Sequence, residues 1–87
     1  MRVLLVYDVD EKRLPAVHKV CRRYLYWVQN SVFEGELTRG RLNRLIEELE
    51  RVIDKEYDSV VIYTFKGSAF LGRLQYGPAG DEGDFIL

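Results

Sequence analysis

The 87-residue chain has one cysteine, one histidine and two prolines, and each scarcity removes a class of protein. Cys21 has no second cysteine with which to close a disulfide, so stability must come from packing rather than from covalent staples. It lies among helix-spaced apolar residues, where a buried and inert thiol is expected. His18 and Cys21 stand three residues apart, a spacing that metal ligands use on a helix, but zinc needs a second pair of ligands that the chain does not offer. No Ser/His/Asp constellation, glycine-rich phosphate loop or paired-cysteine motif is present, which leaves acyl transfer and nucleotide-cofactor chemistry unsupported. No apolar run approaches the roughly 18 residues of a membrane span, and Met1-Arg2 run straight into a strand-like segment without a signal-peptide pattern. A cytoplasmic protein with no membrane partner is expected.

What the chain does contain is typical of a folded globule: 47% hydrophobic and 31% charged residues, with six tyrosines, four phenylalanines and one tryptophan. A chain of this length buries about 60–65% of its unfolded surface and supports one core, hence one domain. The net charge of −1 conceals an asymmetry. Residues 1–46 carry nine Lys/Arg against five Asp/Glu, and residues 47–87 carry four against nine. A polyanion responds to the local patch rather than to the sum, so the basic half can meet phosphates. Equally, Lys12, Arg13, Lys19, Arg22, Arg23, Arg39, Arg41 and Arg44 can simply solvate two helices.

The apolar pattern sets the elements. RVLLVY, residues 2–7, is nearly continuous in Val and Leu, as a central strand covered by helices should be. Leu14, Val17, Cys21 and Tyr24, with Val20 alongside, form one helical stripe backed by Lys19, Arg22 and Arg23. Pro15 lacks an N–H and is tolerated only in a first turn, so this helix starts near Arg13 and residues 8–12 form a loop. LYWVQNSVFEGEL, residues 25–37, alternates in the manner of a strand but is too long for one, and Gln29-Asn30-Ser31 marks a bulge or turn. Thr38 is a candidate N-cap for a helix bearing Leu42, Leu45, Ile46, Leu49, Val52 and Ile53 on one stripe. DSVVIYTF, residues 58–65, is apolar on both faces and predicts a second interior strand. Lys66-Gly67-Ser68 break it, and a short strand over Ala69 to Tyr76 follows.

This order of strand, helix, one or two strands, helix, strand and further strand predicts an α+β, ferredoxin-like βαββαβ fold with an antiparallel sheet and both helices on one face. The domain spans residues 1–77. Residues 78–87 form a tail ending in the apolar Phe85-Ile86-Leu87, expected to dock on a sheet edge or on a partner subunit. The strands are apolar on both faces while the helices cover one, so the open face is expected to pack on a second copy in a twofold homodimer.

Asp8 ends the first strand, where a carboxylate is costly to bury. It either caps the following loop through backbone N–H groups or binds a hard cation. Mg²⁺ is commonly held by one or two carboxylates with water and phosphate completing its shell. In a twofold dimer an interfacial residue appears twice, so two Asp8 side chains could share one ion. Asp10 and Glu11 read as solvated loop acids, able to assist through a bound water. Tyr24, Tyr26 and Trp27 either stack on bases or make core and dimer contacts.

VLLVYDV at residues 3–9, VQNSVFEGEL at 28–37, an amphipathic helix and DSVVIY at 58–63 together resemble the CRISPR-associated protein 2 family, the small partner in spacer acquisition, over about residues 1–65. The resemblance implies a homodimer in which Asp8 faces its twin across a cleft and binds a divalent ion, Mg²⁺ or another. It implies a metal-dependent endonuclease on RNA or DNA working with the adaptation integrase, or a non-catalytic scaffold that grips duplex DNA beside that integrase. A toxin-type ribonuclease or a ligand-binding module on the same fold is the more distant alternative. The implied catalytic set is Asp8 with Arg13, Ser31 and Phe33, Ser31 and Phe33 matching positions beside the cleft. The implied nucleic-acid contacts are Lys12, Arg13, Lys19, Arg22 and Arg23. Some members carry an arginine where this chain has Trp27, and the arginine-rich start of the first helix is thinned to Arg13 with Lys12 beside it.

Overall fold

The computed structural model describes residues 1–78, so residues 79–87 of the expected tail, with Phe85, Ile86 and Leu87, lie outside the described residues. The elements run β1 (Arg2–Asp8), α1 (Leu14–Tyr24), β2 (Tyr26–Gln29), β3 (Val32–Glu36), α2 (Arg39–Val52), β4 (Ser59–Lys66) and β5 (Ala69–Tyr76). The five strands form an antiparallel sheet in the order β2-β3-β1-β4-β5. This is the expected ferredoxin-like arrangement with an additional strand at the β4 edge.

Local sequence fixes each boundary. Pro15 sits in the first turn of α1, where its missing N–H costs nothing, and Arg13 takes the N-cap position. At α2 the Thr38 hydroxyl oxygen accepts a hydrogen bond from the Arg41 N–H at 3.2 Å, which satisfies one of the four orphan donors of the first turn. The long alternating segment divides into β2 and β3 at a turn whose Asn30 has φ 46°, a left-handed conformation that Asn tolerates better than most residues.

The side chains of β1 alternate between two environments. Val3, Leu5 and Tyr7 point to the helices and join Val17 and Cys21 of α1 and Leu42, Leu45 and Leu49 of α2 in one core. Phe33, Leu5, Leu45 and Ile62 are completely buried there, each contributing roughly 1.5–3 kcal/mol relative to an exposed position. Val6, Val32 and Val61 belong to the opposite face and are also buried. Helices cover only the first face.

Candidate functional site

β1 carries Asp8 to the end of the sheet, paired in register with Ser59 of β4, and leaves its side chain exposed. The next five residues form the loop that leads into α1. Its geometry is set from 45 residues away. The Asp58 carboxylate, with no solvent exposure, accepts hydrogen bonds from both ends of this loop: from the Asp10 N–H at 2.9 Å, and from Arg13 through Nε at 2.5 Å and Nη2 at 2.9 Å. The Asp54 N–H donates a fourth bond at 2.9 Å. One carboxylate therefore joins the β1–α1 loop to the α2–β4 loop. The Arg13 guanidinium holds Asp58 well below the ordinary carboxylate range, at a pKa of about 2, against the opposing effect of burial. This bidentate geometry suits arginine and would not survive replacement by lysine.

A second close approach locks the same corner. At Gly77, φ is +86° and a Cβ would lie 1.9 Å from the Asp58 carbonyl oxygen. Only glycine lets the chain leave β5 across the start of β4.

The sequence-derived candidates occupy different roles in this arrangement. Asp8 is exposed, and the half-buried Ser31 meets the residue before it, its carbonyl accepting the Tyr7 N–H at 3.2 Å. Arg13 has turned inward to Asp58, with 19% of its side chain accessible. Phe33 is fully buried, in contact with Tyr7 and His18 at ring-centroid distances of 6.1 and 5.1 Å. It has no surface to offer a substrate and shapes the site through those two rings. Lys12, Lys19 and Arg22 are exposed, whereas Arg23 is paired with Glu48 at 2.5 Å. Tyr24, half-buried, donates its hydroxyl to the same Glu48. Tyr26 and Trp27 are exposed, Trp27 meeting His18 edge to face at 5.1 Å. Cys21 is buried, and desolvation pushes its thiol up to about 12, so it is neither nucleophile nor ligand.

The donor set for a metal is small. Among the described residues no group of three or more His, Cys, Asp or Glu side chains converges on a possible ion. Asp8 offers one hard, accessible carboxylate, which suits a hydrated Mg²⁺ and is too little for zinc.

The five-stranded antiparallel sheet with its two helices agrees with the known proteins that this chain resembles. The sequence profile of the family described as CRISPR associated protein Cas2 matches residues 1–72. This chain belongs to the Cas2 family. A relative from Methanothermobacter thermautotrophicus, named CRISPR-associated endoribonuclease Cas2, is 45% identical over 85 residues, covering 98% of this chain and 93% of its own. A relative of the same name from Thermotoga maritima is 43% identical over the whole of both chains. A solved structure titled "Crystal structure of cas2" superposes with a TM-score of 0.74 at 41% identity, covering 100% of this chain and 95% of the other. Within this Cas2-family chain, Asp58 is the residue whose weight the sequence alone did not disclose. It read as the first residue of a strand, and the only local signal for its role was an acid set directly before an apolar run.

Proposed function

We propose that the chain is a metal-dependent endoribonuclease of the CRISPR system, active as a homodimer in which two Asp8 carboxylates share one divalent ion. The observation that carries this reading is the exposed Asp8 at the end of β1, immediately before a loop anchored at Asp10 and Arg13 by the buried Asp58. A preorganised strand-end carboxylate is what joint chelation by two copies requires. The pairing surface is the sheet face that no helix covers. Val6, Val32 and Val61 lie on it, with Phe65 packed edge to face on the exposed Phe70 at 5.7 Å, and a twofold axis there brings the residues nearest it against their own copies.

A divalent ion held by the two Asp8 carboxylates would supply Lewis acidity at a phosphate oxygen and a lowered pKa for a water. The chain's own contribution is positional. Asp8 orients the ion's shell, Ser31 and the Tyr7 backbone fix the adjoining turn, and Lys12 on the loop steadies the phosphate by charge. Arg13 acts by holding the loop through Asp58, and Phe33 by supporting Tyr7 and His18 from within the core. Cleavage of a labelled RNA and a matched duplex DNA by wild type and Asp8→Asn, with and without Mg²⁺, tests this. Asp8→Asn is expected to remain dimeric and lose cleavage; equal rates in the two proteins refute it.

A second reading is favoured by the exposed Lys12, Lys19 and Arg22, which have no ion-pair partner among the described residues. In it the dimer is a non-catalytic scaffold gripping duplex DNA beside the adaptation integrase. Backbone binding predicts log K falling by about 0.9 per neutralised phosphate for each log unit of salt, together with indifference to Asp8→Asn.

A further inference from the structure

Three polar or charged residues are buried among the described residues: Asp58, Ser59 and Thr64. A buried polar group is normally hydrogen-bonded, and one that is not calls for an explanation. Two of the three are accounted for. The Asp58 carboxylate accepts four hydrogen bonds, and the Thr64 hydroxyl donates to the Gly72 carbonyl at 3.4 Å. Ser59 is 6% exposed, and its hydroxyl makes no hydrogen bond among the described residues. It is not sealed in, because no fully enclosed side-chain polar atom among the described residues lacks a partner. The hydroxyl therefore opens to the surface.

Strand register identifies that surface. Ser59 begins β4 directly opposite Asp8 at the end of β1, and side chains of such a pair stand on one face with Cβ atoms about 4.5–5.5 Å apart. Their chain neighbours Tyr7 and Val60 belong to the helix-covered core, so Asp8 and Ser59 share the face that no helix covers. The chain also crosses close to Ser59 at Gly77, where a Cβ would come within 3.1 Å of the Ser59 Cα. A small residue is needed there. Alanine would meet that need without burying an unpaired polar group, which is costly, so the hydroxyl requires a reason of its own.

A carboxylate that ligates an ion is itself normally hydrogen-bonded, which fixes the oxygen that faces the metal. We propose that Ser59 is a positioning residue of the metal site: its O–H donates to one oxygen of Asp8 and leaves the other for a divalent ion. A twofold dimer then brings two Asp8 and two Ser59 to the same ion. The role rests on the reading that Asp8 holds an ion and is independent of whether the dimer cleaves nucleic acid.

The test compares Mn²⁺ affinity, read from the free-ion signal in electron paramagnetic resonance, for intact wild type, Asp8→Asn, Ser59→Ala and Ser59→Cys. Metal-free melting temperatures by circular dichroism accompany it. Ser59→Ala is expected to keep the wild-type stoichiometry and bind about 10–100-fold more weakly. Ser59→Cys keeps the side-chain shape but offers only a weak donor, and should be weakened as well. Since the hydroxyl has no hydrogen bond to the described residues to lose, neither variant should melt lower than wild type without metal. Weakened Mn²⁺ binding that tracks a lower metal-free melting temperature in Ser59→Ala, with both restored in Ser59→Cys, assigns the residue to packing and overturns the proposal. Loss of binding in Asp8→Asn with wild-type affinity in both Ser59 variants removes the role of Ser59 and leaves the ion at Asp8. A wild type that binds no Mn²⁺, or an Asp8→Asn that binds it equally well, removes the ion at Asp8 and the role of Ser59 with it.

Discussion

Replacing Asp58 by alanine removes, in one step, the acceptor for two backbone N–H groups and an arginine fork. All four bonds converge on a carboxylate with no solvent exposure. Alanine leaves the Asp10 and Asp54 N–H groups without their acceptor and Arg13 without its counter-charge. Removing one partner of such a buried pair costs about 3–5 kcal/mol. A small domain has about 5–10 kcal/mol in total. At roughly 4–8 °C per kcal/mol, the melting temperature should fall by at least about 12 °C. Urea denaturation followed by circular dichroism measures the loss, and a double-mutant cycle with Arg13→Ala apportions it. The single variants should each be costly and the double variant much less than their sum, with a coupling above about 1.5 kcal/mol. A loss under about 1 kcal/mol for Asp58→Ala is the signature of an exposed ion pair, and would refute the clamp.

Other consequences follow from the same corner and from the core. Because Arg13 and two backbone donors depress the Asp58 carboxyl to about 2 in the folded state, its stabilising contribution is fully present above the ordinary carboxylate pKa near 4 and fades as pH falls toward 2. Wild type should therefore lose stability more steeply than Asp58→Ala across that window in acid-titrated urea melts. Gly77→Ala forces a side chain to within 1.9 Å of the Asp58 carbonyl oxygen at φ +86° and should cost at least about 2 kcal/mol by the same melts. The Cys21 thiol, fully buried and raised to about 12, should react with a disulfide reagent at pH 8 only as fast as the protein unfolds, measured against urea-dependent unfolding rates. Thr38→Ala loses the hydrogen bond to the Arg41 N–H and should destabilise by about 1 kcal/mol.

Elements governed by short-range rules could be read directly from the sequence. Pro15 placed the start of α1, Thr38 the start of α2, and Gln29-Asn30-Ser31 the turn between β2 and β3, because each acts through bonds within a few residues. The β5 strand over Ala69–Tyr76 was bounded by Gly67 before it and Gly77 after it, whose positive φ values explain why glycine occupies both places. The antiparallel, ferredoxin-like arrangement with both helices on one face followed from the order of the elements. Asp8 at the strand tip was legible because an acid there interrupts an apolar run. The clamp was not. Asp58 and Arg13 are 45 residues apart, and no periodicity links them, so Arg13 read as a surface cation free to meet phosphate. Phe33 likewise read as a cleft residue, whereas the alternation of β3 against β1, with Leu5 opposite Phe33, directs it into the core.

The central claim is that two copies of Asp8 meet closely enough to hold one ion, and ion stoichiometry addresses it without depending on catalysis. Mn²⁺ binding to the purified dimer, counted by electron paramagnetic resonance against chain concentration, should saturate at one ion for every two chains in wild type and disappear in Asp8→Asn. One ion per chain, or unchanged binding in the variant, would mean that each aspartate acts alone inside its own subunit.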